Sequence, residues 1–283
     1  MDKSHTSSDF TSLIEAAYRL ILLRNVDPVG LQDWRLKLEA GSSSIFDCMD
    51  ALLRSEEFRE KSLVFLRHYT ESDALPFFND NSQNGEVGLL LREMIGIGEL
   101  SKIAVDIGAH GRVGSNTYDL LRYFGWRGIL VEANPRLVPK IETEFSGCNF
   151  DLVNVAVSDK PGRAKLYLGV NDQISSIHRE WTSQWGDIHD AVEIDVETLP
   201  SILDRFAVPK HFGLLSIDAE GEGLNLLEDA IAAGYRPKWI IFEAHDAPNI
   251  ESLNQLPLSE LVRGAYDIAG KTSSNLIVRL RQP

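Results

Sequence analysis

The chain has 283 residues, 43% hydrophobic and 25% charged, which is the composition of a globular protein with apolar material for one large core or two unequal ones. With 28 basic against 42 acidic residues its net charge is −14, and a surface that acidic repels nucleic-acid phosphates and anionic lipid. Cys48 and Cys148 stand 100 positions apart, which excludes a disulfide framework and a zinc-binding spacing.

Glu15, Tyr18 and Arg19 interrupt the first apolar stretch, so it reads neither as a signal peptide nor as a membrane span. Together with the cysteine usage this predicts a cytoplasmic protein. Residues 9–68 read as helices throughout. In DFTSLIEAAYRLILLRN, Leu13, Ala16, Ala17, Leu20 and Ile21 recur at helical spacing. Asp27-Pro28 supplies an N-cap and a proline for VGLQDWRLKLEAG, which stops at Gly41. Ser42 to Ser44 can cap IFDCMDALLRS, and EEFREKSLVFLRHY continues the helical pattern. PFFNDNSQNGEVG, rich in asparagine and glycine, predicts a linker or loop near 76–88. The short helix GLLLREMIG follows, so residues 1–75 form a helical domain and 76–283 a second one.

From residue 101 strands alternate with helices. KIAVDIGAH, RGILVEANP, NFDLVNVAVSD, FGLLSIDAEG and PKWIIFEAH read as strands, with RAKLYLG as an additional one. SNTYDLLRYFG, RLVPKIETEF, ETLPSILDRF and GLNLLEDAIAAG read as helices between them. YDIAGKTSSNLIVRLR reads as a closing hairpin with its turn near Gly270 to Ser274. Continuous apolar strands alternating with helices predict an α/β fold with a mostly parallel sheet covered on both faces.

The densest motif is Asp106-Ile107-Gly108-Ala109-His110-Gly111-Arg112-Val113-Gly114, between the first strand and the next helix. Its glycines let the backbone turn sharply and approach a ligand. The spacing is G-x-x-G-x-x-G rather than the dinucleotide G-x-G-x-x-G, and a purely structural turn is the competing reading. Glu132 ends the second strand 24 positions beyond Gly108, where an acidic residue accepts hydrogen bonds from ribose hydroxyls. Asp106 suits an ammonium group and opposes a pyrophosphate. The pair favours S-adenosylmethionine, which carries an amino acid and a sulfonium, over a nicotinamide cofactor.

In this order, VDIGAHGRVGSNTYDLL, ILVEANP, NVAVSDKPGRAKLYLG, ISSI, VETLPSIL, LLSIDAEGEGLNLLEDA and PKWIIFEAH resemble the FkbM family of S-adenosylmethionine-dependent methyltransferases. The resemblance spans roughly residues 86–280. It departs at His110 and Arg112, where small or aliphatic residues are common, and at Glu220-Gly221-Glu222-Gly223, where the family reads E-G-x-E. It implies a class I methyltransferase (Rossmann-like) sheet of seven strands, one of them antiparallel and supplied by the final hairpin, preceded here by the small all-α domain. It further implies O-methylation of a sugar, glycan or related natural-product hydroxyl. By position, Asp106, Gly108, Ala109 and His110 belong to the methionine side of the cofactor and Glu132 to its ribose. Ala133 and Asn134 flank the adenine, with Asn154 to Ser158, including Ala156, on the other side. The first helical region is similar to a small domain of unknown function found beside glycosyltransferases, through Tyr18, Asp27, Gly30, Leu31, Trp34, Gly41, Ser55 and Phe58. A scaffold or homo-oligomerisation role is favoured there over glycan binding.

Methyl transfer to a hydroxyl needs a general base at the carboxyl edge of the sheet. His245 is the first candidate, because imidazole exchanges protons near neutrality. His178 in ISSIHRE is the second. Asp218 and Glu220, with Glu243 and Asp246, supply the other polar groups of that edge. They suit Mg²⁺ in principle, but capping of helices and loops is favoured and no metal ligands are assigned. Trp181 and Trp185 suit either sugar stacking or core packing. Acceptor contacts are expected from residues 171–192 and 246–262. A nicotinamide-dependent oxidoreductase and a non-catalytic binding protein of the same fold remain as alternatives.

Overall fold

The computed structural model describes residues 7–22, 24–58, 80–94, 101–219 and 221–281. The chain divides into two compact units, Met1–Asn79 and Asp80–Pro283. In the first, α1 (Ser7–Leu22), α2 (Pro28–Glu39) and α3 (Ile45–Leu53) enclose a core of Ile14, Ala17, Tyr18, Leu22, Leu38, Cys48 and Leu52. Local chemistry sets the helix ends. Asp27 caps α2 through the Gly30 N–H at 2.9 Å, and Ser44 with Asp47 forms a capping box on α3. The helical reading of the segment after Phe58 lies outside the described residues.

The second unit begins with α4 (Glu86–Met94). Alternation follows: β1 (Ile103–Ile107), α5 (Tyr118–Phe124), β2 (Arg127–Val131), α6 (Val138–Glu144) and β3 (Asn149–Val153). After an inserted sheet come α8 (Leu199–Arg205), β8 (Leu214–Ile217), α9 (Gly223–Ala232), β9 (Trp239–Glu243), α10 (Glu260–Ala265), β10 (Tyr266–Lys271) and β11 (Asn275–Leu280). The main sheet runs β10-β11-β9-β8-β1-β2-β3. β11 is antiparallel to both neighbours, whereas β9, β8, β1, β2 and β3 pair in parallel. The expected hairpin therefore supplies the antiparallel strand. Central strands are mostly apolar because helices cover both faces, with Asp106 in β1 and Ser216 in β8 as buried polar exceptions. Gly128 in β2 shows how close that cover is, since a Cβ there would lie 2.4 Å from Leu121 Cδ2 of α5.

The inserted sheet, β4-β7-β5-β6, is made by β4 (Ala156–Val157), β5 (Gly162–Gly169), β6 (Ser175–Ser176) and β7 (Ile188–Glu197), with α7 (Arg179–Trp185) between the last two. Two sequence expectations change here. NFDLVNVAVSD is two strands in two sheets, broken where Asn154 Nδ2 donates to the carbonyls of Glu132 (2.7 Å) and Ala133 (3.2 Å). Residues 188–197, where the sequence reading places no strand, form the ten-residue strand β7.

Of the linker or loop expected near 76–88, residues 80–85 are loop, and only the helical residues 86–88 depart from it. Helix α4 starts at Glu86, and residues 80–85 are tied to the unit. Asn81 donates its backbone N–H and Nδ2 to Asp119 at 2.8 and 2.7 Å, and Gly114 N–H donates to Asn81 O at 2.7 Å. Burial pushes the Asp119 carboxyl up to about 7 despite these bonds.

Candidate active site

Strand order reverses between β1 and β8, so the carboxyl ends of β1, β2, β8 and β9 open a crevice. A cleft of about 380 Å³ lies there. Its floor is the glycine turn. Gly108 has φ +84°, and a Cβ on it would sit 2.0 Å from the Asp218 carbonyl oxygen. Only glycine fits, because Asp218 N–H donates to Ile107 O at 2.8 Å and draws the end of β8 onto the turn. Gly108 and Ala109 donate their N–H groups to Val131 O at 2.9 and 3.1 Å, which fastens the turn to the end of β2.

Glu132 sits on that fastening. Its Oε2 accepts the His110 N–H at 2.8 Å and its Oε1 the Asn134 N–H at 2.7 Å. Burial raises its carboxyl above the ordinary glutamate range, while the two backbone bonds oppose the rise. His110 reaches this position with φ 44°, and its ring Nε2 lies 3.3 Å from Asp172 Oδ1. Asp106 is buried deeper. Thr117 Oγ1 donates to its Oδ2 at 2.5 Å and the Ser216 hydroxyl also bonds it. Burial pushes its carboxyl up to about 6, and both hydroxyls oppose the shift.

The opposite wall carries His245. Its ring stacks on Trp181 (centroids 5.7 Å apart, 28° between planes) and lies 5.4 Å from the Trp185 ring. Its Nδ1 lies 3.5 Å from Glu243 Oε1. Glu222, at the N-terminus of α9, borders the same cleft, and its Oε1 bonds His178 Nε2.

The cleft thus brings together Asp106, Gly108, Ala109, His110, Glu132, Ala133, Ala156, Asp218 and His245. Asn134, Ser158 and His178 do not line it. Asn134 is turned into the strand-end bend, where its Oδ1 accepts the Arg136 N–H at 3.0 Å. Ser158 faces Asp159, and His178 reaches the cleft only through Glu222. Glu220 lies outside the described residues. Of the two tryptophans only Trp185 borders the cleft. The expected acceptor segments divide: 171–177 lines the cleft, whereas among the described residues of 246–262 none does. Among the described residues no three His, Cys, Asp or Glu side chains gather as a metal site. Sequence reasoning missed Gln83, Asn116 and Ser216, which also line the cleft. Only the position of Asn116 just past the glycine turn offered a signal for any of them.

The sheet order and its single antiparallel strand are those of a class I methyltransferase. The chain belongs to the FkbM methyltransferase family: residues 106–263 match the methyltransferase FkbM domain. It is a methyltransferase dependent on S-adenosylmethionine. No curated protein sequence matches the chain significantly. Among solved structures, the chain is similar to a precorrin-6y C5,15-methyltransferase from Geobacter metallireducens GS-15, at 14% identity over 70% of this chain and 87% of that one (TM-score 0.37). It is also similar to an O-methyltransferase from Bacillus cereus in complex with SAH, at 14% identity over 82% and 94% of the two chains (TM-score 0.34). Among the described residues no helix is long and apolar enough to cross a membrane.

The residues present fit the cofactor. The cleft volume lies within the range of small-molecule sites. The lining offers carboxylates at Asp106 and Glu132 and, among the described residues, no lysine or arginine, which suits hydroxyls and an ammonium and opposes a pyrophosphate.

Proposed function

We propose that the protein transfers a methyl group to a hydroxyl of a sugar, glycan or related natural product. The observation that carries this reading is that one cleft joins the glycine turn and Glu132 to His245 and Glu243. A donor site and a proton acceptor thereby face the same space. When bound, S-adenosylmethionine supplies a methyl group on a sulfonium, an excellent leaving group. The chain must then align the acceptor oxygen and take up its proton.

Glu132 accepts the ribose hydroxyls, its carboxylate held by the His110 and Asn134 N–H groups. Ala133, Val155 and Ala156 offer the adenine an apolar slot, and Asp106, Gly108 and Ala109 border the methionine arm. His245 takes the acceptor proton on Nε2. Glu243 beside Nδ1 favours the tautomer that keeps a hydrogen there. Trp181 and Trp185 both pack against the ring. The half-exposed Trp185 supports a carbohydrate acceptor, because sugar rings lay their apolar faces on aromatic ones.

For the helical unit we keep a scaffold or self-association role. Its motif residues serve its own packing. A Cβ on Gly30 would meet Tyr18 Oη at 2.8 Å, Asp27 caps α2, and Ser55 Oγ accepts the Phe58 N–H at 3.1 Å. Leu20, Val29 and Phe46 remain exposed for a partner copy.

The test is transfer of a labelled methyl group from S-adenosylmethionine to a panel of free sugars, glycosides and glycan extracts. The label is then located by mass spectrometry and NMR. An O-methyl product supports the reading. Label on nitrogen or carbon overturns it, as does cofactor binding with no hydroxyl acceptor methylated.

A further inference from the structure

Asn116 lies on the cleft wall just beyond the glycine turn and is nine-tenths buried. Its Nδ2 donates to Ser216 Oγ at 3.2 Å. The single hydroxyl hydrogen of Ser216 is committed to Asp106, so Ser216 is left as an acceptor for the amide. This fixes which way the amide points. Its oxygen, Oδ1, faces away from Ser216, buried and without a partner. An amide oxygen left so costs about 1–3 kcal/mol, a cost that a hydrogen-bond donor from the cleft would remove. Among the described lining residues no lysine or arginine can do so. A ligand in the cleft can bring that donor, and Asp106, one hydrogen bond further on, makes a cationic donor the favoured one.

We propose that Asn116 Oδ1 accepts a hydrogen bond from the ammonium group of the cofactor's methionine arm, so that Asn116 makes the site select an intact amino-acid arm over the bare thioether nucleoside. The inference rests on the S-adenosylmethionine reading above and adds a binding residue to it. No bond is made or broken at Asn116. Its role is recognition, through an amide whose orientation Ser216 sets.

Two ligands separate the contributions. S-adenosylhomocysteine carries the arm, whereas 5′-methylthioadenosine keeps the nucleoside and the thioether sulfur and lacks the arm. Isothermal titration of both into wild type and Asn116→Ala gives two ratios of dissociation constants, and the fitted stoichiometry reports the folded fraction separately. The expected result is an S-adenosylhomocysteine affinity lowered about tenfold in Asn116→Ala, with 5′-methylthioadenosine unchanged within about twofold. In the wild type, the assigned Asn116 side-chain amide NMR signals should shift with the first ligand and not with the second. This arm needs no variant. An unchanged ratio in Asn116→Ala, or amide signals that move equally with both ligands, overturns the assignment while leaving the cofactor reading in place. Failure of the wild type to bind either ligand overturns the cofactor reading and the inference with it.

Discussion

Glu132 Oε2 accepts the backbone N–H of His110 at 2.8 Å, so the end of β2 holds the glycine turn that follows β1. The carboxylate is oriented before any ligand arrives, and it lines the cleft. Glu132→Ala removes both the ribose acceptor and this clasp. We expect at least tenfold weaker S-adenosylhomocysteine binding, about 1.4 kcal/mol, by isothermal titration. Glu132→Gln should also bind more weakly, because its amide nitrogen would confront one of two backbone donors, His110 or Asn134. Unchanged affinity in both variants would remove Glu132 from the ribose site.

The turn itself discriminates between its glycines. Gly108 and Gly114 both have positive φ, +84° and +87°. A Cβ on Gly108 would strike the Asp218 carbonyl oxygen at 2.0 Å, whereas among the described residues nothing lies within 4 Å of one on Gly114. Gly114→Ala should therefore cost only backbone strain, about 1–2 kcal/mol. Gly108→Ala adds a clash with backbone that is hydrogen-bonded on both sides, for a loss on the order of 3 kcal/mol or more. Denaturant unfolding of the two variants checks the difference. Equal losses would mean that the turn moves freely away from β8.

Asp106 couples the site to pH. Its carboxyl is pushed up to about 6 in the folded chain, against an ordinary 3.8. A raised folded value means that its stabilising contribution is complete below about pH 4 and is lost as pH rises through about 6. That rise corresponds to about 3 kcal/mol at pH 8. Asp106→Asn removes the penalty and keeps both neighbours, because the Thr117 and Ser216 hydroxyls can turn to accept as well as donate. The variant should be more stable than wild type at pH 8 by about that amount, with the gain shrinking toward pH 4. It should also bind S-adenosylhomocysteine more weakly. Parallel pH dependences for the two proteins would show that Asp106 titrates normally.

The main sheet was legible because its strands are mostly apolar runs such as LLSI and WIIFE, separated by helices. β7 was not, because the exposed charges Asp190, Glu193 and Asp195 give it the look of an acidic loop. It pairs along its whole length with β5, a partner that spacing along the chain does not reveal. The site divides in the same way. Gly108 and Glu132 end strands, so their positions follow from local sequence. Asn116 and Gln83 enter the cleft by tertiary placement, and an asparagine just ahead of a helix reads first as a cap. His178 misled for the converse reason. Its loop does reach the cleft, but the ring turns to Glu222 instead.

His245 and His178 compete for the role of base, and their surroundings separate them. His245 borders the cleft against two tryptophans with Glu243 near Nδ1, whereas His178 touches it only through Glu222. His245→Ala should therefore lower kcat by about 10²-fold or more, with S-adenosylhomocysteine affinity unchanged. His178→Ala should retain most turnover, because its loss leaves Glu222 in place on the wall. Glu243→Gln should fall between the two, since the amide still borders Nδ1 but no longer offsets the charge that develops on the ring. Single-turnover rates with the acceptor identified by the labelling screen measure all three. Wild-type turnover in His245→Ala together with a large loss in His178→Ala would move proton removal to the Glu222 side of the cleft.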